Sequence, residues 1–391
     1  MKSRVVSFLC ALVLIATTLA AQAQRSPAQR YAVIDLGTLP GGTFSQPFFI
    51  NDNDAVSGSS NLPNNTQQAV LWSRGRIIDL GTLGGPNSIA FGVNAFGLAG
   101  GEAETSISDP NGEDFCGFGT HLVCLPVIWN GGGASPLPTV GGNNGGVNRI
   151  NRWGVAAGVA ENSTSDPACP APQQLQFKPV AWEHDHAIEL PTEGGDPDGL
   201  ALGINDNGQI VGGSGICSTF NPYLLINLQS VHALLWQNGQ AIDLGNLGGT
   251  TGEAQGNLAF AINNRAQIVG VSDLPGDTTY HAFLWTAATR MKDLGTLPGD
   301  LASLAISIND PGVVVGLSID ANGNTRAVVW HGDVPTDLNT LALPSSPLYL
   351  LTGCSINSRG EITGLGATST GEIHTYRAIP LPDASDLARQ Q

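Results

Sequence analysis

The sequence predicts an all-β protein, a seven-bladed β-propeller of four-stranded antiparallel blades whose ring is closed by an N-terminal strand completing the last blade. Three observations lead there. Seven times an Ile or Val precedes an Asn that is followed seven residues later by Gly: Asn51/Gly58, Asn94/Gly101, Asn151/Gly158, Asn205/Gly212, Asn263/Gly270, Asn309/Gly316 and Asn357/Gly364. Between these marks an apolar strand ending in Trp recurs, at Trp72, Trp129, Trp182, Trp236, Trp285 and Trp330. The last unit stops one strand short, and the segment from Tyr31 supplies a spare strand. Units of about 40–50 residues repeated in fixed order are stacked supersecondary elements, here propeller blades.

The chain opens with Lys2 and Arg4, an apolar stretch from Val5 to about Leu19, and Ala21-Gln22-Ala23 as a small-x-small cleavage site. This pattern reads as a signal peptide over residues 1–23. The stretch is short of the ~20 residues a membrane-spanning helix needs, so an exported, soluble product is expected, in the periplasm or outside the cell.

The fourth unit shows the blade plan. Two short strands, a and b, flank Asn205-Asp206-Asn207-Gly208. Asn suits the first position of a type I turn and Gly the left-handed residue that closes it. Gly97, Gly154, Gly312 and Gly360 repeat that closure, with Asp54 and Ala266 in the remaining two turns. The Gly at the seventh position lies inside strand b, where its lack of a side chain suggests close approach by a neighbouring sheet. Strand c is the Trp strand. Strand d ends in Asp-Leu-Gly or a variant, with the acid at Asp35, Asp79, Glu189, Asp243, Asp293 and Asp337.

The seventh unit starts near Pro347 and offers CSIN as strand a, GEITGLG as strand b and RAIPL as strand c, placing Leu381 where Trp is expected. Its missing strand d matches YAVIDLGTLPGG from Tyr31. Closure of this kind removes two exposed sheet edges. The propeller is thus expected over 31–382, with a short polar tail at 383–391.

Net charge is −16, yet only 12% of residues are charged and Lys and Arg together number 16. Such a chain lacks the basic stripe that nucleic-acid phosphates or anionic lipid surfaces require. Gly at 51, Pro at 24 and 41% hydrophobic residues fit a turn-dense β protein with a core rather than disorder. A monomer is expected.

The blocks HAFLW (281–285), DLGTLGG (79–85), DLGTLPG (293–299) and INDNGQIVG (204–212) resemble the HAF family of bacterial extracellular repeat proteins, over nearly all of the propeller. The resemblance implies an exported repeat protein and no particular activity. The eponymous His stands at His232 and His281, with Gln68, Lys178, Arg326 and Arg377 read at the matching places.

Function is expected where the repeats differ. The a–b and c–d turns are short and uniform, whereas the b–c loops of blades 2, 3 and 4 are long. Long loops on a rigid scaffold carry binding more often than the scaffold does. The blade 2 loop holds Glu102, Glu104, Asp109, Glu113, Asp114 and His121, a set that suits Ca²⁺, an acid/base pair, or a solvated acidic loop. The blade 4 loop is apolar, with Phe220 and Tyr223 as candidate ligand contacts. Cys116 and Cys124 share one loop and are expected to bridge. Cys169 and Cys217 lie in loops of adjacent blades and pair plausibly, leaving Cys354 as a free thiol in an inner strand. The cysteine spacings match no metal site. His184-Asp185-His186 falls in a c–d turn and reads as surface.

Two readings follow. One is a binding or adhesion scaffold recognising a glycan or surface protein through the long b–c loops. The other is a propeller hydrolase or lyase with acidic residues near the central opening. No nucleophile–base pattern favours the second.

Overall fold

Each a–b turn is organised by its Asn. The Asn51 Oδ1 accepts the backbone N–H groups of Asn53 (2.9 Å) and Ala55 (3.0 Å), and the same pattern holds at Asn94, Asn151, Asn205, Asn263 and Asn357. In blade 6 Pro311 has no N–H to give, so Asn309 takes only that of Val313. The amide nitrogen of every Asn then leaves its own blade and donates to the backbone carbonyl of the Asn in the next. The bonds run Asn51 to Asn94, Asn151, Asn205, Asn263, Asn309, Asn357 and back to Asn51, at 2.8–3.3 Å. The motif that marks the repeat in the sequence is therefore a closed ring of seven side-chain amides around the propeller axis. All seven are buried.

Four-stranded sheets radiate from this ring. The computed structural model describes residues 29–131, 133–221 and 226–382, and one compact unit spans Arg30–Leu381. Blades 1 to 6 occupy 45–79, 84–136, 141–189, 198–243, 258–293 and 302–337, each an antiparallel a-b-c-d sheet. Blade 7 combines the pieces Tyr349–Leu350 and Ser355–Ile356 as strand a with Ile362–Ala367, Ile373–Pro380 and the N-terminal strand Tyr31–Asp35. The register runs from Tyr31 opposite Pro380 to Asp35 opposite Tyr376. Closure by the N-terminal strand is as the sequence suggested. The signal segment 1–23, the tail 383–391, Tyr223 and the side chain of Phe220 lie outside the described residues.

The seventh-position glycine has a different cause from the one expected. A Cβ on any of these glycines would fall 1.9–2.1 Å from the carbonyl oxygen twelve residues earlier, from Gln46 below Gly58 to Thr352 below Gly364. The crowding comes from strand a of the same blade, not from a neighbouring sheet. Strand a carries a β-bulge in blades 1 to 6, with the register shift between Pro47 and Phe49 in blade 1 and at the matching places in the others. The bulge presses the strand backbone onto strand b, and only hydrogen fits there.

The core is a set of layers between successive blades, each holding a strand-c Trp that is at most 4% exposed. Trp182, Trp236 and Trp330 also donate Nε1–H to carbonyls of Pro138, Pro191 and Leu294, which belong to the preceding blade. Burying a Trp-sized aromatic contributes about 4–6 kcal/mol by area, as an upper bound.

Blade 7 corrects the register read from the sequence. Gly364 of strand b lies opposite Tyr376, as Gly270 lies opposite Phe283 and Gly316 opposite Val328. The Trp place is therefore held by Ala378, not Leu381, and the His place by His374, not Arg377. Ala378 clusters with Tyr31, Leu338 and Leu341. The two leucines come from the short helix Leu338–Leu341, so residues from outside strand c supply the bulk that a Trp supplies elsewhere.

Two stability changes are expected. Asn309→Ala removes a buried amide that joins blade 6 to blade 7 and leaves the Val313 N–H unpaired, at a cost of about 2–4 kcal/mol in denaturant unfolding. Ala266 holds φ 56° in the turn position that glycine takes in five other blades. Ala266→Gly should stabilise by about 0.5–1 kcal/mol, because relief of left-handed strain exceeds the added chain entropy.

Candidate functional site

The long b–c loops of blades 2, 3 and 4 stand on one end of the propeller together with the d–a connections. Strand b of blade 2 (Ala99–Ser108) leads into a loop closed by the Cys116–Cys124 disulfide. Cys169 of the blade 3 loop bonds Cys217, which lies not in a loop, as the sequence suggested, but inside strand b of blade 4, because strands Ile210–Asn221 and Ile226–Gln237 extend the hairpin through that stretch. Cys354 is free. All three bonding assignments agree with the sequence expectation.

The acidic residues of the blade 2 loop sort into distinct roles. Glu113 is fully buried and reaches across to blade 3, where Oε1 accepts N–H from Gln174 (2.6 Å), Leu175 (2.7 Å) and the Gln173 amide (3.2 Å). Asp109 folds its own turn through Asn111 and Glu113 N–H groups and accepts the blade 3 Asn144 amide at 2.9 Å. Glu104 accepts the backbone and side-chain N–H of Asn87 and a hydroxyl from Thr120. Asp114 accepts Gly119 N–H. His121 is exposed, with Nδ1 2.9 Å from the Gly112 carbonyl. The structure therefore brings Asp109 and Glu113 together with blade 3 and leaves Asp114 and His121 on the outer turn.

Glu104 belongs to a recurring place three residues past the strand-b glycine. Asn61, Glu161 and Asp273 occupy it in blades 1, 3 and 5, and each accepts backbone N–H groups where the chain enters its own strand a. An acceptor at this place organises the scaffold. Carboxylates recruited to it come from the repeat plan and not from a ligand.

Burial raises the pKa of three acids at this end. Glu102 is pushed up to about 8 by burial and the nearby Glu104. It lies within 4.8 Å of both sulfurs of the Cys116–Cys124 bridge. Glu161 is raised to about 7 by burial and then by Glu113, against opposing hydrogen bonds from Gln173, Asn144 and Asn143. Asp198, at the start of strand a in blade 4, is raised to about 7 by burial. The nearby Asp166 of the blade 3 loop adds to that shift. The Asp198 Oδ2 and Asp166 Oδ2 are both buried without a hydrogen-bond partner, and Asp198 lies beside the Cys169–Cys217 bridge. Blades 2 and 3 are thus joined at this end by the hydrogen bonds of Asp109 and Glu113, and blades 3 and 4 by the Cys169–Cys217 disulfide. The two His/Cys/Asp/Glu groupings compact enough for a metal, among the described residues, each consist of one acid and a disulfide. Sulfurs already bonded to each other do not make a zinc or Ca²⁺ ligand set.

The His of the repeat has a structural partner that sequence reading missed. His232, His281 and His374 hold Asp196, Asp293 and Asp35 at 2.8, 2.9 and 2.8 Å. Arg326 fills the same place in blade 6 and pairs with Asp300 and Asp337. A basic residue at the head of strand c ties down the acid of a d strand or d–a connection. These pairs sit on separate blades, and no hydroxyl or thiol is hydrogen-bonded to any of the three imidazoles among the described residues.

A second concavity lies at the opposite end, on the axis above the amide ring. Its volume is 210 Å³, and it is lined by Arg149, Asp52, Asp206, Asn264 and Asp310. The sequence pointed away from this end, because its turns are short and uniform.

No protein-family model matches the chain, and no curated protein matches it. Among solved structures it is similar to a puromycin-hydrolysing peptidase of Mycobacterium tuberculosis, with a TM-score of 0.52 at 11% identity over 92% of this chain. The match covers 57% of the peptidase's length. The BP39L lectin of Burkholderia pseudomallei gives a TM-score of 0.39 at 10% identity, over 90% of this chain and 96% of that one. AofleA of Arthrobotrys oligospora gives 0.35 at 8%, over 90% of each chain. At such identities the likeness to the peptidase reports the fold alone.

The protonated acids fix the sign of a pH effect. In the unfolded chain Glu and Asp ionise near pH 4, whereas the folded groups hold their protons to about pH 7–8. Stability is therefore fullest below about pH 4, as far as these groups are concerned, and falls as pH rises through the folded values. Thermal melting should show a loss on the order of a few kcal/mol between pH 5 and pH 8. Glu102→Gln should keep the pH 5 stability and flatten part of the decline.

Proposed function

We propose that the protein is an exported recognition scaffold of the HAF-repeat kind, holding a glycan or protein partner on the long-loop face of blades 2 to 4. The observation that carries this reading is that the described parts of the three variable segments are tied together, through Glu113 across blades 2 and 3 and Cys169–Cys217 across blades 3 and 4. A platform ordered before binding loses little entropy on association. Ile107 and Ile216 add exposed apolar surface on the same face. The two disulfides fit an oxidising compartment, and among the described residues no helix is long and apolar enough to cross a membrane.

Charge restricts the partner. At this end the Lys and Arg residues among those described are Lys178 and Arg326, engaged by the Pro197 carbonyl and by Asp300 respectively. The face is therefore acidic and suits a neutral or basic partner, not a nucleic acid. Ca²⁺ is not required by this reading, since the loop carboxylates already have protein partners.

The purified protein should capture a partner from arrays of cell-surface glycans and proteins, equally with and without EDTA. Ile107→Glu combined with Ile216→Glu should weaken capture roughly ten-fold without lowering the melting temperature. Capture that survives both substitutions would remove the long-loop face from the reading. Turnover of peptide, ester or glycoside substrates by the wild type would replace it with an enzyme.

A further inference from the structure

The axial pocket at the other end is framed by residues that occupy equivalent positions in all seven blades, so departures from the repeat are visible there. Two places before the ring Asn, six blades carry an uncharged residue: Phe49, Gly92, Gly203, Ala261, Ser307 and Ser355. Blade 3 carries Arg149. The scaffold plainly works without a cation at this place. The Arg149 guanidinium donates to the carbonyls of Phe91 (2.7 Å), Asn148 (2.8 Å) and Phe48 (3.3 Å) and lies 5.0 Å from the Phe49 ring centre. Burial lowers its pKa only to about 10, so it stays charged. No carboxylate pairs with it among the described residues. A half-buried guanidinium that lines the pocket and has no carboxylate partner is poised for an anionic ligand group.

The rim asks for something else. The residue after each ring Asn forms it, and in blades 4, 5 and 6 these are Asp206, Asn264 and Asp310. They are fastened in an arc: Asp206 N–H donates to Asn264 Oδ1 (2.9 Å), and Asn264 gives its N–H and its amide to Asp310 (2.8 and 3.1 Å). Asp52 completes the acidic part of the rim and accepts Ser358 N–H at 2.9 Å. Carboxylates repel a bare inorganic anion but accept hydrogen bonds from hydroxyls.

Beside the rim stands Trp153, 69% exposed, while Phe96, 77% exposed, lines a separate groove with Arg74, Arg76 and Ile78. Trp153 is the one Trp of the seven outside strand c. Its indole is held in place by an Nε1–H bond to the Asp206 carbonyl (2.9 Å) and by Arg152, 4.9 Å from the ring centre. An exposed aromatic ring fixed next to planar polar side chains is a stacking platform for the apolar face of a sugar. Size agrees. The pocket's 210 Å³ lies below the ~300–1,000 Å³ of drug-sized sites and suits a single ring. Arg74, Arg76 and Arg265, on the same end, have no acidic partner among the described residues, so this end admits an anion that the long-loop end repels.

We propose that the axial pocket binds a hexuronic acid residue, free or at the end of an acidic polysaccharide. The carboxylate meets Arg149, the hydroxyls meet Asp206, Asn264 and Asp310, and the next sugar lies over Trp153. This site is independent of the long-loop face.

Calorimetric titration and Trp fluorescence of the purified protein with glucuronate, galacturonate and their short oligomers test it, with glucose, galactose and glutamate as controls. Uronates should bind saturably, oligomers more tightly than monomers, and neutral sugars roughly ten-fold more weakly or not at all. Trp153→Ala, a surface change, should weaken oligomer binding with no change in melting temperature. Arg149→Met should abolish the preference for uronate over neutral sugar. If Arg149→Met does not fold, the comparison of uronate with the neutral sugar on the wild type decides alone. Equal affinity for neutral and acidic sugars, binding of glutamate without uronate, or no saturable uronate binding would each overturn the proposal. Ile107→Glu with Ile216→Glu should leave uronate binding intact, so failure of one face is distinguishable from failure of the other.

Discussion

The closed circuit of seven Asn amides is the constraint on which the rest of the molecule depends. Each amide holds its own turn with Oδ1 and the next blade with Nδ2, so the local hairpin and the global ring are one hydrogen-bond system. A buried primary amide that lost either partner would leave a polar group stranded, which explains why no other residue type stands at these positions. The glycine seven residues on serves the same end. It lets the bulged inner strand press onto strand b, and that pinch sets the turn at the height where neighbouring amides meet.

A scaffold determined this tightly divides the side chains into two populations. Residues at recurring places keep the ring together even when their chemistry suggests otherwise. Glu104, Glu161 and Asp273 look reactive as a set but organise d–a connections, and the His of the repeat fastens an acid. Residues that depart from the repeat are free to be selected for something else. Arg149, Trp153, Phe96 and the long loops belong to this second population, with the long loops at one end and the other three at the opposite one. The long-loop end is acidic, broad and tied across blades 3 and 4 by a disulfide. The other is narrow and carries an unbalanced cation.

Blade number, strand order, ring closure and both disulfides were legible in the sequence, because they follow from spacing and adjacency. The register of the last strand c was not. Without a Trp, the run ending at Leu381 imitated the others three residues out of place, and only the pairing of Gly364 with Tyr376 places His374 and Ala378. The roles of Asp109 and Glu113 were also hidden, because burial against a neighbouring blade leaves no trace in a loop's own composition. Arg149 escaped notice for a related reason. It sits in a stretch that reads like any other inner strand, and its meaning appears only when six neutral counterparts are set around the same axis.

The seam in blade 7 has a mechanical side. Tyr31 lies opposite Pro380, so the first residue of the closing strand and the end of its partner leave the sheet at the same edge. A load applied through both ends of the chain would part the seam one hydrogen bond at a time, like a zipper, instead of shearing the whole strand at once. Such a seam offers tension less resistance than a sheared strand would, and an attachment through a single terminus leaves it unloaded.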